Sequence, residues 1–427
     1  FPDERYVGYV EGNTPVIMIR DPELIKKITV KDFDHFTDHK AFVPPELAPL
    51  LGDSLIMMKG DRWRDMRTTL TPAFTGSKMR MLMPFVVDIC HNITQHLKDH
   101  TNEVIEIGEV VKRYTSDVIA STAFGVEIDS VKNPNNEFYK MGQSIFEFTL
   151  WQRILMFMVT EFPTLGKKLK TPSYSSKLDQ FLKKFVIDNI EYRKNNNLVR
   201  PDMIHLLMEA SKGNLTSSTS EKDNVGYSVE VVQEEMKQQG NARDWTIEEL
   251  AGQVFIFLVA GFDTSSSSVN LCIHELALNP DIQEKLYEEI RDFKKNNKEL
   301  TYDNIGDMKY LDCVLNETFR RWSVSIYMDR VCTREYILPP PHQGGKPYKL
   351  SQGDIVYNVI NPIHMDPKYW SKPEVFNPDR FSEDNKHNIK PFTFMPFGMG
   401  PRTCIGSRFA LLKLKVLLYN LILNFKI

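Results

Sequence analysis

The chain has 427 residues, of which 42% are hydrophobic and 26% are charged, a balance that excludes an intrinsically disordered protein and allows a large buried core. Its net charge of -3 and its pI of about 6.4 give no overall reason to expect a nucleic-acid partner. The five cysteines are odd in number and include no C-x-x-C pair, so neither a disulfide framework nor a zinc knuckle is expected, and the pattern is typical of a reducing compartment.

The first predicted element is a β-hairpin. Tyr6 to Val10 and Val16 to Ile19 are strand-like runs around a polar turn at residues 11 to 14. Asp21 and Pro22 then predict a helix N-cap followed by proline at the first helical position. Because the chain lacks an initiator Met and ends within an apolar stretch, we interpret it as a fragment without its N-terminal segment and its extreme C-terminus.

Helical periodicity dominates the rest of the chain. A polar, Ser- and Thr-rich insert at residues 211 to 229 predicts a loop, and proline density rises from residue 338 onward, which predicts a long coil. We therefore predict one domain over residues 1 to 427, mainly α with a small β region. The amphipathic runs lie at 78–100, 105–123, 176–194, 246–278, 280–295 and 307–321, and short strand signals return only near Tyr348 to Leu350 and Ile355 to Val359.

Two pairs of side chains share a helix face. Trp63 and Arg67 lie four residues apart, and the plain interpretation is a basic amphipathic helix with its indole in the core. Glu317 and Arg320 lie three apart, where a salt bridge is geometrically natural, although such pairs also occur on many surface helices. Neither pair alone indicates a function.

The stretch FLVAGFDTSSSSVN places polar residues within a helix that is otherwise apolar enough to be buried. Ala260 and Gly261 remove side-chain bulk, and Asp263 and Thr264 follow at once. A buried acid needs a partner or water. One alternative is that Asp263 caps a new helix beginning at Thr264, but the apolar phasing over residues 269 to 276 favours one long helix.

The stretch FMPFGMGPRTCIGSRFALLK, residues 394 to 413, places one cysteine among three glycines at the start of a predicted helix. The unpaired amides of a helix N-terminus lower the pKa of a thiol, and Cys404 would then be a good ligand. The glycines let the backbone approach a flat ligand, and Arg402 offers a cationic fork suited to a carboxylate. The alternative is that Cys404 is a buried structural cysteine beside a glycine turn and binds no ligand.

The spacing F-x-x-G-x-R-x-C-x-G, formed by Phe397, Gly400, Arg402, Cys404 and Gly406, resembles the haem-ligand loop of the cytochrome P450 family. The segments W-x-x-x-R, A-G-x-D-T and E-x-x-R also match the family's motifs, in the family's order. The resemblance covers nearly the whole chain, and its finer features are closest to microsomal animal members of the clan of xenobiotic-oxidising forms, with an insect member as the favoured type.

This resemblance implies the cytochrome P450 fold and a haem b cofactor with Cys404 as the axial thiolate. Arg402 would bind a haem propionate, together with the W-x-x-x-R pair and with Arg330, which we expect to follow a strand-like segment lining the substrate pocket. The implied cofactor-binding residues are Trp63, Arg67, Ala260, Arg330, Phe397, Arg402, Cys404 and Gly406.

The resemblance also assigns roles beyond the haem. Asp263 and Thr264 would be the catalytic pair that relays protons to the oxygen bound above the iron. Glu317, Arg320 and Arg380 would form a structural network that braces the coil on the haem side.

The implied substrates are small and lipophilic, and the implied electron donor is NADPH-cytochrome P450 reductase, with cytochrome b5 as an additional candidate. Residues 145 to 165 match the helices that border the substrate channel and dip toward the bilayer in microsomal relatives. This match implies a location at the cytoplasmic face of the endoplasmic reticulum membrane. The default alternative is that this apolar stretch packs in the core. The candidate pocket residues are Phe146, Phe148, Phe257, Val324 and Ile326. The candidate basic face for the reductase consists of Arg62, Arg64, Lys78, Arg80, Lys413 and Lys415, and solvated surface charge is the alternative.

Two departures from the family pattern bear on function. Residues 322 to 326 read WSVSI where many members carry one or two prolines, and Lys413 stands where many relatives have an acidic or amide residue. The leading hypothesis is a haem-thiolate monooxygenase. A haem-thiolate isomerase is the second, although an intact Asp263-Thr264 pair argues against it, and a non-catalytic haem protein that sequesters hydrophobic ligands is the third.

Overall fold

The computed structural model describes residues 3–41, 43–44, 47–145, 147–162, 176–200, 202–211, 245–297 and 299–427. Helices form most of this part of the chain, and the strands lie near its two ends. The helices are α1 (Pro22–Lys26), α2 (Pro49–Gly52), α3 (Gly60–Leu70), α4 (Gly76–Asp99), α5 (Ile107–Phe124), α6 (Glu137–Ser144), α7 (Leu150–Glu161), α8 (Ser176–Asn195), α9 (Met203–Ser211), α10 (Ile247–Leu278), α11 (Pro280–Asn296), α12 (Lys309–Arg321), α13 (Asn361–His364) and α14 (Ser407–Asn424). The strands are β1 (Tyr6–Glu11), β2 (Thr14–Ile19), β3 (Tyr327–Val331), β4 (Tyr336–Leu338), β5 (Tyr348–Leu350) and β6 (Ile355–Val359).

The main sheet joins the N-terminal hairpin to the C-terminal third of the chain. Its strand order is β1-β2-β6-β3, in which β2 and β6 run parallel and the other neighbours antiparallel. Strands β4 and β5 form a separate antiparallel pair. The predicted hairpin and both predicted strands are present, so the mainly α fold with a small β region is confirmed.

The expectation that strands return only near residues 348 to 359 is wrong, because β3 and β4 lie before β5 and β6 in the chain. Arg330 therefore lies within a strand and does not follow one. Strand β3 carries two consecutive charged residues, Asp329 and Arg330, and both are buried. Alternation of polar and apolar residues marks strands with one solvated face, so a strand whose charges are buried gives no such signal.

Each predicted amphipathic run is a helix whose ends lie within three residues of the prediction. Helix α10 is continuous through Asp263 and Thr264, as the apolar phasing predicted, and a capping box between Thr246 and Glu249 begins it. Of the predicted loop at 211 to 229, Ser211 ends α9 and the remainder lies outside the described residues.

Among the residues that the structure describes, α10 is long and apolar enough to cross a membrane by length and composition. It packs against α5, α8, α12 and α14, and its buried side chains belong to the main hydrophobic core. That core is built from α4, α5, α10, α11, α12 and α14, and a second core lies under the main sheet. Helix α10 is thus the central core helix, and the loop that precedes α14 faces it.

Candidate active site

A cavity of about 700 Å³ lies between α10, β3 and the loop that carries Cys404. Most of its wall is apolar, with Phe74, Phe257 and Ile119 among the lining side chains. The predicted cofactor residues all line it: Trp63, Arg67, Ala260, Arg330, Phe397, Arg402, Cys404 and Gly406. The fold therefore brings residues more than 300 positions apart in the chain to one concave site.

The cysteine loop is held in shape by its own backbone. The Cys404 N–H donates to the Phe397 carbonyl at 2.8 Å, and the Thr403 N–H donates to the Gly400 carbonyl at 2.9 Å. Gly400 has a φ of +73°, and a Cβ there would lie 1.9 Å from the carbonyl oxygen of Thr29. Only glycine meets both conditions, so this position holds the loop against the segment after α1.

The amide at the start of α14 acts on Cys404 in the expected direction, because the Gly406 N–H lowers the pKa of the thiol, but it does not decide the net shift. Although Cys404 is exposed to the cavity, loss of hydration around its sulfur raises its pKa above the ordinary thiol value, and this effect outweighs the opposing influences of the Gly406 N–H, Arg67 and Lys413. A metal cation bound to the sulfur would deprotonate it directly. The site thus fits a metal-bound thiolate better than a free reactive thiol.

Three buried or half-buried guanidinium groups converge at one edge of the cavity. Burial lowers the pKa of Arg67 to about 10, that of Arg330 to about 10 and that of Arg402 to about 8. The Nε of Arg330 is buried without a hydrogen-bond partner among the described residues. A ligand with two carboxylates would compensate these charges, so the residues fit the propionates of a haem.

Arg402 is held in a different way. It donates to the carbonyls of Thr37 at 2.9 Å and Met58 at 2.8 Å, and its guanidinium stacks on the Trp63 ring with 3.9 Å to the centroid. In this structure it therefore joins the cysteine loop to the start of α3. Its binding to a propionate stays a prediction.

His39 is a cavity residue that no sequence motif indicated. Its Nδ1 lies 3.0 Å from the Asp329 carboxylate and 3.5 Å from a nitrogen of Arg330. Burial lowers the pKa of His39 and thereby favours the neutral ring, although Asp329 opposes this. Only the pairing of β3 with the chain around residue 38 brings these groups together.

The central helix presents small residues to the cavity. Ala260, Gly261 and Thr264 line it, and the Thr264 hydroxyl donates to the Ala260 carbonyl at 2.5 Å. Asp263 does not line the cavity and is exposed, so the expectation of a buried acid is wrong. The reason is the 100° turn between successive helical residues, which directs Asp263 and Thr264 to different faces.

Glu317, Arg320 and Arg380 are close to one another, beneath the coil that leads to the cysteine loop. Glu317 and Arg320 are fully buried and form a two-point ion pair at 2.7 and 2.8 Å, and Arg380 lies 3.3 Å from Glu317. Arg320 also donates to the carbonyls of His364 and Pro373 at 2.8 Å each. The bracing role of this network is consistent with these contacts and stays a prediction.

His364 connects this network to the cysteine loop. Its Nε2 accepts from the Met395 N–H at 2.9 Å, so the proton lies on Nδ1, which is 2.8 Å from the Ser323 hydroxyl. Burial lowers the pKa of His364 to about 3, and the neighbouring Arg320 acts in the same direction. The departure at Ser323 thus supplies a hydrogen-bond partner that proline would lack.

The predicted pocket residues are only partly at the cavity. Phe257, Val324 and Ile326 line it, whereas Phe146 lies outside the described residues. Phe148 is not among the described lining residues, because it lies in the connection between the end of α6 and the Thr149 cap of α7. Periodicity missed the contributions of α5 and α9 to the wall, which are Ile119, Thr122, Ala123 and Met203.

The predicted basic face is wrong for two of its members. Lys413 and Lys415 are 1% and 0% exposed, because the α14 face that carries them packs into the core. The three arginines of the set are exposed but lie beside acids: Arg62 with Asp53 and Glu249, Arg64 with Asp34, and Arg80 with Asp303. Their positive charge is therefore largely balanced, and Lys78 is half-buried.

Comparison with known proteins agrees with this geometry. The family model described as Cytochrome P450 matches residues 5–427. The chain is 39% identical to Cytochrome P450 9e2 of Blattella germanica and 38% identical to Probable cytochrome P450 9f2 of Drosophila melanogaster, in each case over 99% of this chain and 80% of the relative. It is 35% identical to Probable cytochrome P450 6a13 of Drosophila melanogaster, over 99% of this chain and 79% of the relative.

Proposed function

Because this chain belongs to the cytochrome P450 family and is a haem-thiolate monooxygenase, we propose that Cys404 supplies the thiolate and that the haem is haem b. The proposed substrates are small apolar molecules, which are oxidised with electrons from NADPH through a reductase. The observation that carries the proposal is the position of Cys404 on the wall of the same cavity as Thr264 and the cation cluster. Bound haem supplies the activation of O₂.

The residues of this chain contribute orientation and protons. Arg67 and Arg330 would hold the haem propionates, and the glycines of the cysteine loop would allow the close approach of a flat ring. The Thr264 hydroxyl, fixed by its bond to the Ala260 carbonyl, holds a proton at the cavity wall. Asp263, on the neighbouring helical position and exposed, exchanges protons with solvent.

The substrate class is inferred from the charges at the cavity. The charged lining residues are the three arginines, Lys413 and Asp329, and Asp329 is already bound by His39 and by the Lys40 N–H at 2.5 Å. The remaining polar lining groups are mainly hydroxyls, such as those of Thr122 and Ser265. With the arginines bound to the haem propionates and Lys413 bound to the Gly261 carbonyl, the rest of this wall offers no charge to an ionic substrate and favours neutral lipophilic ones.

A membrane-facing surface is proposed at α7 and the tip of the N-terminal hairpin. Leu150, Trp151 and Phe157 are exposed by 76, 71 and 62%, and Val10 of the hairpin by 64%. The two elements lie together, because the Glu161 carboxylate accepts from the Asn13 N–H at 3.1 Å. Exposed apolar side chains on two adjoining elements suit the cytoplasmic face of the endoplasmic reticulum membrane.

The reductase is proposed to bind on the thiolate side, where α3 and the start of α4 lie. Arg64 and Lys78 are the test positions, because the buried Lys415 cannot contact a partner. Replacement of both by Glu should weaken reductase-dependent turnover and change its salt dependence, with cytochrome b5 tested in the same assay. Unchanged turnover and salt dependence would remove this face.

The first experiment is the reduced carbon monoxide spectrum of the haem-loaded protein. We expect a thiolate-type spectrum that Cys404→Ser and Cys404→His abolish. Turnover of a substrate panel with reductase and NADPH then tests the reaction, since a monooxygenase releases oxygenated product and an isomerase rearranges its substrate without reductase. Haem uptake without a thiolate-type spectrum would refute the assignment of Cys404.

A further inference from the structure

Lys413 lies where α14 contacts the central helix. Its side chain is 1% exposed, and its Nζ donates to the Gly261 carbonyl at 2.7 Å. Its own carbonyl accepts from the Tyr114 hydroxyl of α5 at 2.8 Å. Lys413 and Gly261 both line the cavity, beside Cys404 on one side and Thr264 on the other.

This ammonium has no carboxylate partner among the described residues. Lys415, two positions further along α14, shows the usual solution, an ion pair with Asp312 at 2.5 Å. Burial lowers the pKa of Lys413 to about 7, and the negative charge of the Cys404 thiolate acts against that shift. Burial of a lysine without an acidic partner costs folding free energy. The hydrogen bond from Lys413 to the Gly261 carbonyl offsets part of that cost.

The acceptor is a position where the central helix can be approached closely. A Cβ on Gly261 would lie 2.8 Å from the Cδ1 of Ile119 and 3.5 Å from the Lys413 Nζ. In a continuous helix the Gly261 carbonyl already accepts from the N–H of residue 265, so Lys413 uses its second lone pair. Such an additional donor favours one fixed tilt of this carbonyl.

We propose that Lys413 is a positioning residue that fixes the central helix at Gly261 against the cysteine-bearing helix, and thereby sets the position of Thr264 relative to Cys404. Thr264 lies three residues beyond Gly261, within the same helical turn. The inference rests on the proposed function only in treating the cavity as the haem site.

The test is amide hydrogen exchange of the haem-loaded protein, a readout that does not require turnover. In Lys413→Met, which keeps the length and removes the donor, peptides covering residues 258 to 268 should exchange about tenfold to a hundredfold faster, the range expected for the loss of one charged hydrogen bond. Peptides from α11 serve as the internal reference. Lys413→Gln or Lys413→Arg, which keep a donor, should restore the protection.

Lys415→Met is the matched control, because it removes a buried ammonium from the same helix without touching Gly261. It should alter exchange broadly and not selectively at residues 258 to 268. If Lys413→Met does not load haem, Lys413→Asn takes its place, since its amide is too short to reach Gly261, and the same selective change is expected. Equal exchange in the parent and the variant, an equal change in α11, or failure of both Gln and Arg to restore protection would overturn the proposal.

A second readout is the ratio of oxygenated product to NADPH consumed. Misplacement of Thr264 should lower this ratio in Lys413→Met by several-fold while substrate binding is retained. A protein without monooxygenase activity would leave the exchange test intact, so failure of the proposed function and failure of this inference are distinguishable.

Discussion

Replacement of Glu317 by Gln tests the buried ion-pair network most directly. Glu317 is fully buried and accepts from Arg320 at 2.7 and 2.8 Å, from the Asn377 N–H at 2.8 Å and from Arg380 at 3.3 Å. Glutamine keeps the shape of the side chain, removes its charge and turns one acceptor into a donor. The Arg320 cation, itself fully buried, then lacks its counter-charge.

Breaking a buried pair in this way costs about 3 to 5 kcal/mol. This is a large share of the roughly 5 to 15 kcal/mol that separates folded from unfolded states in typical proteins. We therefore expect Glu317→Gln to lower the denaturant midpoint strongly and to reduce the haem content of the purified protein. Both are measured by denaturant titration followed by circular dichroism and by haem absorbance.

Asp379→Asn provides the control in the same segment. Asp379 pairs with Lys285 at 2.7 Å, but both side chains are about half exposed, at 52 and 51%. Such a surface pair contributes about 1 kcal/mol or less. If Glu317→Gln and Asp379→Asn had equal effects, the bracing role of the network would be refuted.

Three further predictions follow from the site. Gly400→Ala should reduce haem uptake, because a Cβ would lie 1.9 Å from the Thr29 carbonyl oxygen at a φ of +73°. Gly8→Ala is the control and should not reduce it, because a Cβ there would have no atom within 4 Å. Equal haem uptake by the two variants would contradict this prediction. Arg67→Gln should weaken haem affinity by about tenfold to a hundredfold, the range for one charged hydrogen bond, without lowering the stability of the haem-free protein, and a haem titration with parallel unfolding curves checks both. The pKa of His364 is about 3 in the folded protein, below the value of 6.5 for a free imidazole, so the unfolded chain takes up the proton first as pH falls. The free energy of unfolding therefore decreases as pH drops below 6.5, by at most about 1.4 kcal/mol per pH unit. His364→Gln should reduce that slope in unfolding measurements between pH 7 and 4, and an unchanged slope would show that other groups cause it.

The sequence by itself determined the features that depend on local pattern. The ten-residue spacing around Cys404 identified the loop through its resemblance to the haem-ligand loop of the cytochrome P450 family, because that motif is local in sequence. Helical phasing predicted that α10 continues through Asp263 and Thr264, since a 3.6-residue repeat is a property of neighbouring residues. The E-x-x-R pair was likewise visible from its spacing on one helix.

Only the tertiary structure decided which charges are buried and what they contact. Lys413 and Lys415 resembled surface charges in the sequence, yet α14 packs into the core on the face that carries them. His39 reaches the cavity because it lies beside Asp329, 290 positions away in the chain. Burial of a charge depends on what packs over it from distant segments, and no local period records that, so the cation cluster and the Lys413 contact with Gly261 emerge only from the folded chain.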